Sequence, residues 1–160
     1  MTDYRIERAS DADALARMAA DWIAAQISLV LDQRDRCCIA LSGGSTPARA
    51  YRLLGQERLP WDRVDVVLGD ERWVAADDPS SNALMLRQTL MKQGPGSAAV
   101  FHPVPTIDLA HAEASATALA ELSNRLCSGE PPVFDVMLLG LGDDGPVSYT
   151  HLRAHETLGN

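Results

Sequence analysis

The chain has 160 residues, 46% of them hydrophobic, which suits one domain with a real core and excludes a disordered chain. Its net charge of −8 and pI near 4.8 exclude a general nucleic-acid footprint and adsorption to anionic membranes. An anionic small molecule would have to be held by local positive groups, so individual arginines carry weight.

The opening, MTDYRIERASDADAL, has charges where a signal peptide has its apolar region. No continuous apolar run approaches the ~20 residues of a spanning helix. YRIER at 4–8 reads as a short strand. Ser10 reads as the N-cap of a long amphipathic helix, with Leu15, Met18, Trp22, Ile23, Ile27, Val30 and Leu31 on its core face. CCIAL at 37–41 is the run of a strand covered on both faces. Pro47 suits the first position of a helix over ARAYRLL. VDVVLG at 64–69 is a second strand, and Ser80, Ser81 and Asn82 offer caps for a helix through Met91. AVFHPV at 99–104 is a third strand, 108–127 an alanine-rich helix, and VFDVMLLG at 133–140 a fourth strand. Strands alternating with helices imply right-handed crossovers and a parallel sheet. The periodicity stops near Gly145. Trp22 reads as core, Trp61 and Trp73 as packing beside loops. Cys37, Cys38 and Cys127 lack C-x-x-C spacing and read as small core residues in a reducing cytoplasm.

Ligands of open parallel sheets bind beyond the carboxyl ends of the strands, so three loops draw notice. In LSGGSTPARAY, Gly43 and Gly44 let an anion approach the main chain, and Ser45 and Thr46 stand where a helix N-cap belongs. The plain alternative is an ordinary strand-to-helix turn. In LGDERWVAADDPSSNAL, Asp70, Glu71 and Arg72 directly follow a strand: a carboxylate there can polarise a hydroxyl or water, and Arg72 can clamp phosphate or carboxylate oxygens; the alternative is a solvated charge cluster. Gly140-x-Gly142-x-x-Gly145 has a dinucleotide-type spacing, but Asp143 and Asp144 would repel a pyrophosphate. His151 and His155, spaced i, i+4 beside Glu156, have the spacing of metal ligands but no third partner, which favours exposed coil. His102 and His111 stand alone.

As an ordered set, LSGGSTP (41–47), GDERWV (69–74), SSNA (80–83) and LLGLGDDG (138–145) resemble the 6-phosphogluconolactonase family of the glucosamine-6-phosphate isomerase/deaminase superfamily. GDERWV favours the lactonase branch, since the deaminase branch has an Asp-Glu-Tyr version. The resemblance covers residues 1–145. It implies a three-layer α/β/α sandwich with a mostly parallel, Rossmann-like sheet, incomplete at its C-terminal side. It also implies hydrolysis of 6-phospho-D-glucono-1,5-lactone to 6-phosphogluconate in the pentose phosphate pathway, in the cytoplasm, with no metal or organic cofactor. The implied partner is a phosphorylated sugar lactone, with no nucleic acid and no membrane; the oligomeric state is left open.

By that resemblance Ser42, Gly43, Gly44, Ser45, Thr46, Arg72, Gly142 and Gly145 hold substrate. Asp70 contacts sugar hydroxyls or positions water, and Asp144 orients the catalytic base. In the family the last glycine turn continues Asp-Gly-His-Thr-Ala-Ser, and that histidine is the expected base; here its position holds Pro146. Residues 1–145 are therefore expected to be the N-terminal part of the family domain and 146–160 a foreign tail, with turnover impaired. Two other readings stand: a glucosamine-6-phosphate deaminase or sugar-phosphate isomerase, and a non-catalytic sugar-phosphate-binding fragment.

Overall fold

The structure, a computed structural model, describes residues 5–140. The readings placed on Gly142, Asp144, Gly145, Pro146, His151, His155 and the 146–160 tail lie outside the described residues.

The chain enters through α1 (Ala12–Leu31) and runs into β1 (Cys37–Leu41). Next come α2 (Ser45–Leu54), β2 (Val64–Leu68), α3 (Asn82–Gln88), β3 (Val100–His102), α4 (Ala112–Leu126) and β4 (Val136–Met137). The four strands form one parallel sheet in the order β3-β2-β1-β4. All five residues of β1 and of β2 are buried, as the continuous apolar runs require of central strands.

The sheet has two differently covered faces. Cys37, Ile39 and Leu41 of β1, with Val64, Val66 and Leu68 of β2, face a core built from Ile23, Ile27, Tyr51, Leu54, Leu86 and Leu90 of the α1–α3 side. Their neighbours point the other way, where Cys38 meets Cys127 at the C-terminal end of α4. The chain reverses its direction across the sheet between β3 and β4, and a right-handed crossover then demands that α4 lie on the opposite face. The result is the expected α/β/α arrangement.

Several local expectations are corrected. Residues 5–9 form no strand. The cap of α1 is Asp11, whose carboxylate accepts the N–H groups of Asp13 and Ala14, while Ser10 only donates its hydroxyl to Asp11. The inward stripe of α1 is Ala16, Ala20, Ile23, Ile27 and Leu31; small alanines let the helix lie close to the sheet. Trp22 is 55% exposed on the outer side, and Leu15 is exposed too. Trp61, expected beside a loop, is buried at the start of a 3₁₀ turn and donates its indole N–H to Glu57 O. By length and composition alone α1 would suffice to cross a membrane, although no single apolar run within it does.

Asp65 is a buried carboxylate on the α4 side of β2. It accepts Arg36 Nε at 2.6 Å and pairs with His102 Nε2 at 2.8 Å, so His102 does not stand alone. Burial pushes its pKa up, but the bonds from Arg36 and His102 outweigh burial and hold it below the usual 3.8. A lowered native pKa stabilises the fold above the unfolded value and loses that support as pH falls through the native one. Stability should therefore drop on acidification below about pH 4, and Asp65→Asn should flatten that slope in pH-dependent urea melts. Trp61→Ala should cost about 3–5 kcal/mol in the same melts. Trp22→Ala should stay within about 0.5 kcal/mol.

Candidate functional site

The strand order reverses at β1, which neighbours β2 on one side and β4 on the other. In open parallel sheets the ligand crevice is expected at such a switch point, here beyond the carboxyl ends of β1 and β4. The loop leaving β1 is Ser42-Gly43-Gly44. The loop leaving β2 runs from Gly69 to Ser81. Leu41 pairs with Leu68, and Gly69 N–H continues the ladder onto Leu41 O at 2.9 Å, so both loops start level at one end of the sheet.

The first loop is fixed from behind. Tyr51, on the inward stripe of α2, donates its hydroxyl to Ser42 O at 2.8 Å and accepts Ser42 N–H at 3.1 Å. Burial drives the Tyr51 pKa well above its ordinary range, so it stays a neutral phenol. The Ser42 side chain is buried, yet its hydroxyl is the one buried side-chain polar atom without a partner among the described residues. Such an atom carries a desolvation penalty that a ligand or water would relieve.

Gly44 is the N-cap of α2, at φ 121°, a backbone state that L-residues rarely adopt. It supplies no side chain to cap the helix. Ser45 and Thr46 are the first helical residues rather than caps, and Pro47 is third rather than first. Pro47 has no N–H to offer, so the free donors of the first turn are those of Gly44, Ser45 and Thr46. Among the described residues none of these three meets an acceptor. Gly44, Ser45 and Thr46 are exposed. The positive end of α2 and three unengaged N–H groups thus face the crevice, beside a buried unpaired hydroxyl.

The second loop is organised by Glu71. One carboxylate oxygen accepts the N–H groups of Arg72 and Asn82 at 2.8 Å each. The other accepts Ala83 N–H at 2.8 Å and Ser81 Oγ at 3.3 Å. Ser81 in turn caps Leu84 N–H. Glu71 therefore stitches the loop to the start of α3. Asn82, held by those bonds, donates its amide to Asp70 O at 3.1 Å and lies 3.4 Å from Asp70 Oδ2. A Cβ on Gly43 would overlap that amide, which gives Gly43 a steric reason to be glycine. The two loops interlock through Gly43 and Asn82.

Asp70 and Arg72 are exposed at this end of the sheet. Among the described residues Arg72 forms no ion pair, whereas Arg17, Arg34, Arg36 and Arg49 all do. The structure thus brings Ser42, Gly43, Gly44, Ser45, Thr46, Asp70 and Arg72 to one end of the sheet. Sequence reasoning named Glu71 only as a carboxylate at the strand end, missed Tyr51, and gave Asn82 only a capping role. No group of histidine, cysteine, aspartate or glutamate among the described residues is spaced to hold a metal.

Residues 10–148 match the family model described as glucosamine-6-phosphate isomerases/6-phosphogluconolactonase. A 6-phosphogluconolactonase of Nostoc sp. is 40% identical over 87% of this chain and 59% of its own length. That of Synechocystis sp. is 38% identical over 77% and 52%. The crystal structure of a 6-phosphogluconolactonase from Shewanella baltica superposes with a TM-score of 0.77 at 36% identity, covering 86% of this chain and 56% of that one. A monomeric glucosamine-6-phosphate deaminase shares the fold, with a TM-score of 0.72 at 22% identity. The chain spans little more than half the length of these curated relatives.

Glu71→Ala leaves two backbone N–H groups at the start of α3 without their acceptor and should cost about 1–3 kcal/mol in chemical denaturation. Arg72→Ala, one residue on, should change stability by no more than about 0.5 kcal/mol.

Proposed function

The chain belongs to the glucosamine-6-phosphate isomerase/6-phosphogluconolactonase family, and on that premise we propose that its site is built for hydrolysis of 6-phospho-D-glucono-1,5-lactone to 6-phosphogluconate. The observation that carries the reading is the anion cradle at the start of α2: N–H groups of Gly44, Ser45 and Thr46, with the buried, unpartnered Ser42 hydroxyl. A phosphate or carboxylate oxygen satisfies such donors, and Arg72 adds local positive charge in a chain of net charge −8. Lactonase rather than deaminase chemistry is supported by GDERWV and by relatives of 33–40% identity bearing the lactonase name.

In this reading water attacks the lactone carbonyl carbon, C1, and the ring oxygen leaves as the sugar acid opens. Ser42–Thr46 and Arg72 hold the anionic substrate, and the family resemblance assigns Gly142 and Gly145 to substrate binding as well. Oriented N–H groups or a cation stabilise the developing oxyanion. Asp70, tied to Asn82, contacts sugar hydroxyls or positions the water. Asp144 is the residue that would orient a base two positions later. That position holds Pro146, whose ring takes no proton at working pH. Binding without turnover is the second reading, and Pro146 is the observation that favours it. Three free cysteines and the acidic charge support a cytoplasmic protein acting on small molecules rather than on nucleic acid or a membrane.

Losing a general base costs a factor of about 10²–10⁴, so the 160-residue chain should open the lactone far more slowly than an intact relative. A pH-stat assay corrected for spontaneous hydrolysis measures this; a rate near that of an intact relative would refute the role given to position 146. By calorimetry the chain should bind 6-phosphogluconate more tightly than gluconate, and Arg72→Ala should erase about tenfold or more of the difference. Equal affinities for the two sugars would remove the anion cradle as the basis of function.

A further inference from the structure

At the far end of β1 from the crevice, Cys38 Sγ lies 3.5 Å from Cys127 Sγ, although the two residues are 89 apart in sequence. Both are free thiols. Cys38 is buried on the α4 side of the sheet; Cys127 is partly exposed at the end of α4. Cys37 sits between Arg36 and Cys38, yet its side chain joins the opposite core with Ile39 and Leu41. The fold thus selects one of two adjacent thiols to meet Cys127.

We propose that Cys38 and Cys127 form a modification site: a thiol pair that a small-molecule disulfide oxidises to an intramolecular disulfide tying β1 to the end of α4. A disulfide needs sulfurs about 2.05 Å apart, so the pair must close by about 1.5 Å. The backbone around Cys38 is fixed, because Asp135 Oδ2 accepts its N–H at 2.8 Å and Asp135 N–H donates to its carbonyl at 2.9 Å. Cys127 has room to make the adjustment. It is the C-cap of α4 with extended backbone (φ −106°, ψ 153°), and Gly129 follows at φ 97°. The same connection is already tethered to β1 through Asp135, so the new bond would reinforce an existing contact.

Burial pushes the Cys38 thiol far above its ordinary range, and burial raises Cys127 as well. Neither is an activated nucleophile, so proximity rather than acidity makes the pair selective. The accessible Cys127 thiolate attacks one sulfur of a disulfide RSSR, forming a Cys127–S–S–R bond and releasing RS⁻, which takes up the proton that Cys127 gave up. The Cys38 thiolate then attacks Cys127 Sγ, forming the Cys38–Cys127 bond and expelling the second RS⁻, which is protonated likewise. Two protein thiols are oxidised, and one RSSR is reduced to two RSH.

The test equilibrates the full 160-residue chain in glutathione/glutathione-disulfide buffers and maps non-reduced tryptic peptides by mass spectrometry. The expected product is a monomer with the peptide beginning at Cys37 joined to the peptide containing Cys127, lighter by two hydrogens. Cys37→Ser should retain the link and Cys127→Ser should abolish it. The oxidised chain should melt at least about 5 °C higher by circular dichroism. In urea the equilibrium constant for closure should fall at least about 100-fold, since a long flexible loop offers only about millimolar effective concentration or less. A link through Cys37, a link between chains, a mixed disulfide on Cys127 that never closes, or closure equally favoured in urea would each overturn the proposal. Affinity for 6-phosphogluconate should not change on oxidation, which separates this site from the crevice.

Discussion

The level, parallel pairing of β1 with β2 is the constraint on which the rest of the structure depends. Five consecutive partners, from Cys37–Val64 to Leu41–Leu68, end both strands at the same height. Because side chains alternate across a sheet, a slip of one residue would turn Cys37, Ile39 and Leu41 out of the α1–α3 core and push Cys38 and Ala40 into it. The same slip would carry Ser42 off Tyr51 and Gly43 off Asn82. Core packing and site geometry are therefore set by one register, and Gly69 N–H on Leu41 O extends that register into the loops.

What the loops add is a division of labour among residues that look alike in sequence. Asp70, Glu71 and Arg72 are three consecutive charges, yet only Glu71 is consumed by structure, accepting both N–H groups that begin α3. That leaves Asp70 braced by Asn82, and Arg72 with no ion pair among the described residues. A similar split separates Ser42 from Ser45: one is buried behind the turn, the other exposed in front of it. In a chain of net charge −8, local main-chain donors and an arginine without an ion pair among the described residues are what an anion site would be built from.

The elements most legible in the sequence were those whose burial is uniform. CCIAL is a strand with the expected bounds, and VDVVLG ends only one residue early, because both faces of each are covered and the apolar run has no competing pattern. The glycine-rich turn and Ser81 as a cap were also legible, since their chemistry is local. The outward Trp22 was not: the inner stripe of α1 uses Ala16 and Ala20, and a pattern search weighted toward large residues follows Leu15 and Trp22 to the wrong face. The role of Glu71 was illegible because its partners lie eleven and twelve residues on, and nothing local marks a carboxylate that caps a helix across a loop. Tyr51 left a trace, an aromatic on the inner stripe of α2, but the return of its hydroxyl to Ser42 is a fact of packing. His102 and Asp65 are 37 apart and meet only because β2 and β3 are neighbours.

The central proposal is that the start of α2, with Ser42 behind it and Arg72 exposed at the same end of the sheet, receives the anionic group of a phosphorylated sugar. The most direct measurement is a ¹H–¹⁵N NMR titration of the chain with 6-phosphogluconate. The account predicts saturable shifts concentrated at the amides of Gly43, Gly44, Ser45 and Thr46, and far smaller shifts when Arg72 is replaced by alanine. Saturable shifts centred elsewhere on the sheet, with these four amides unmoved, would contradict it.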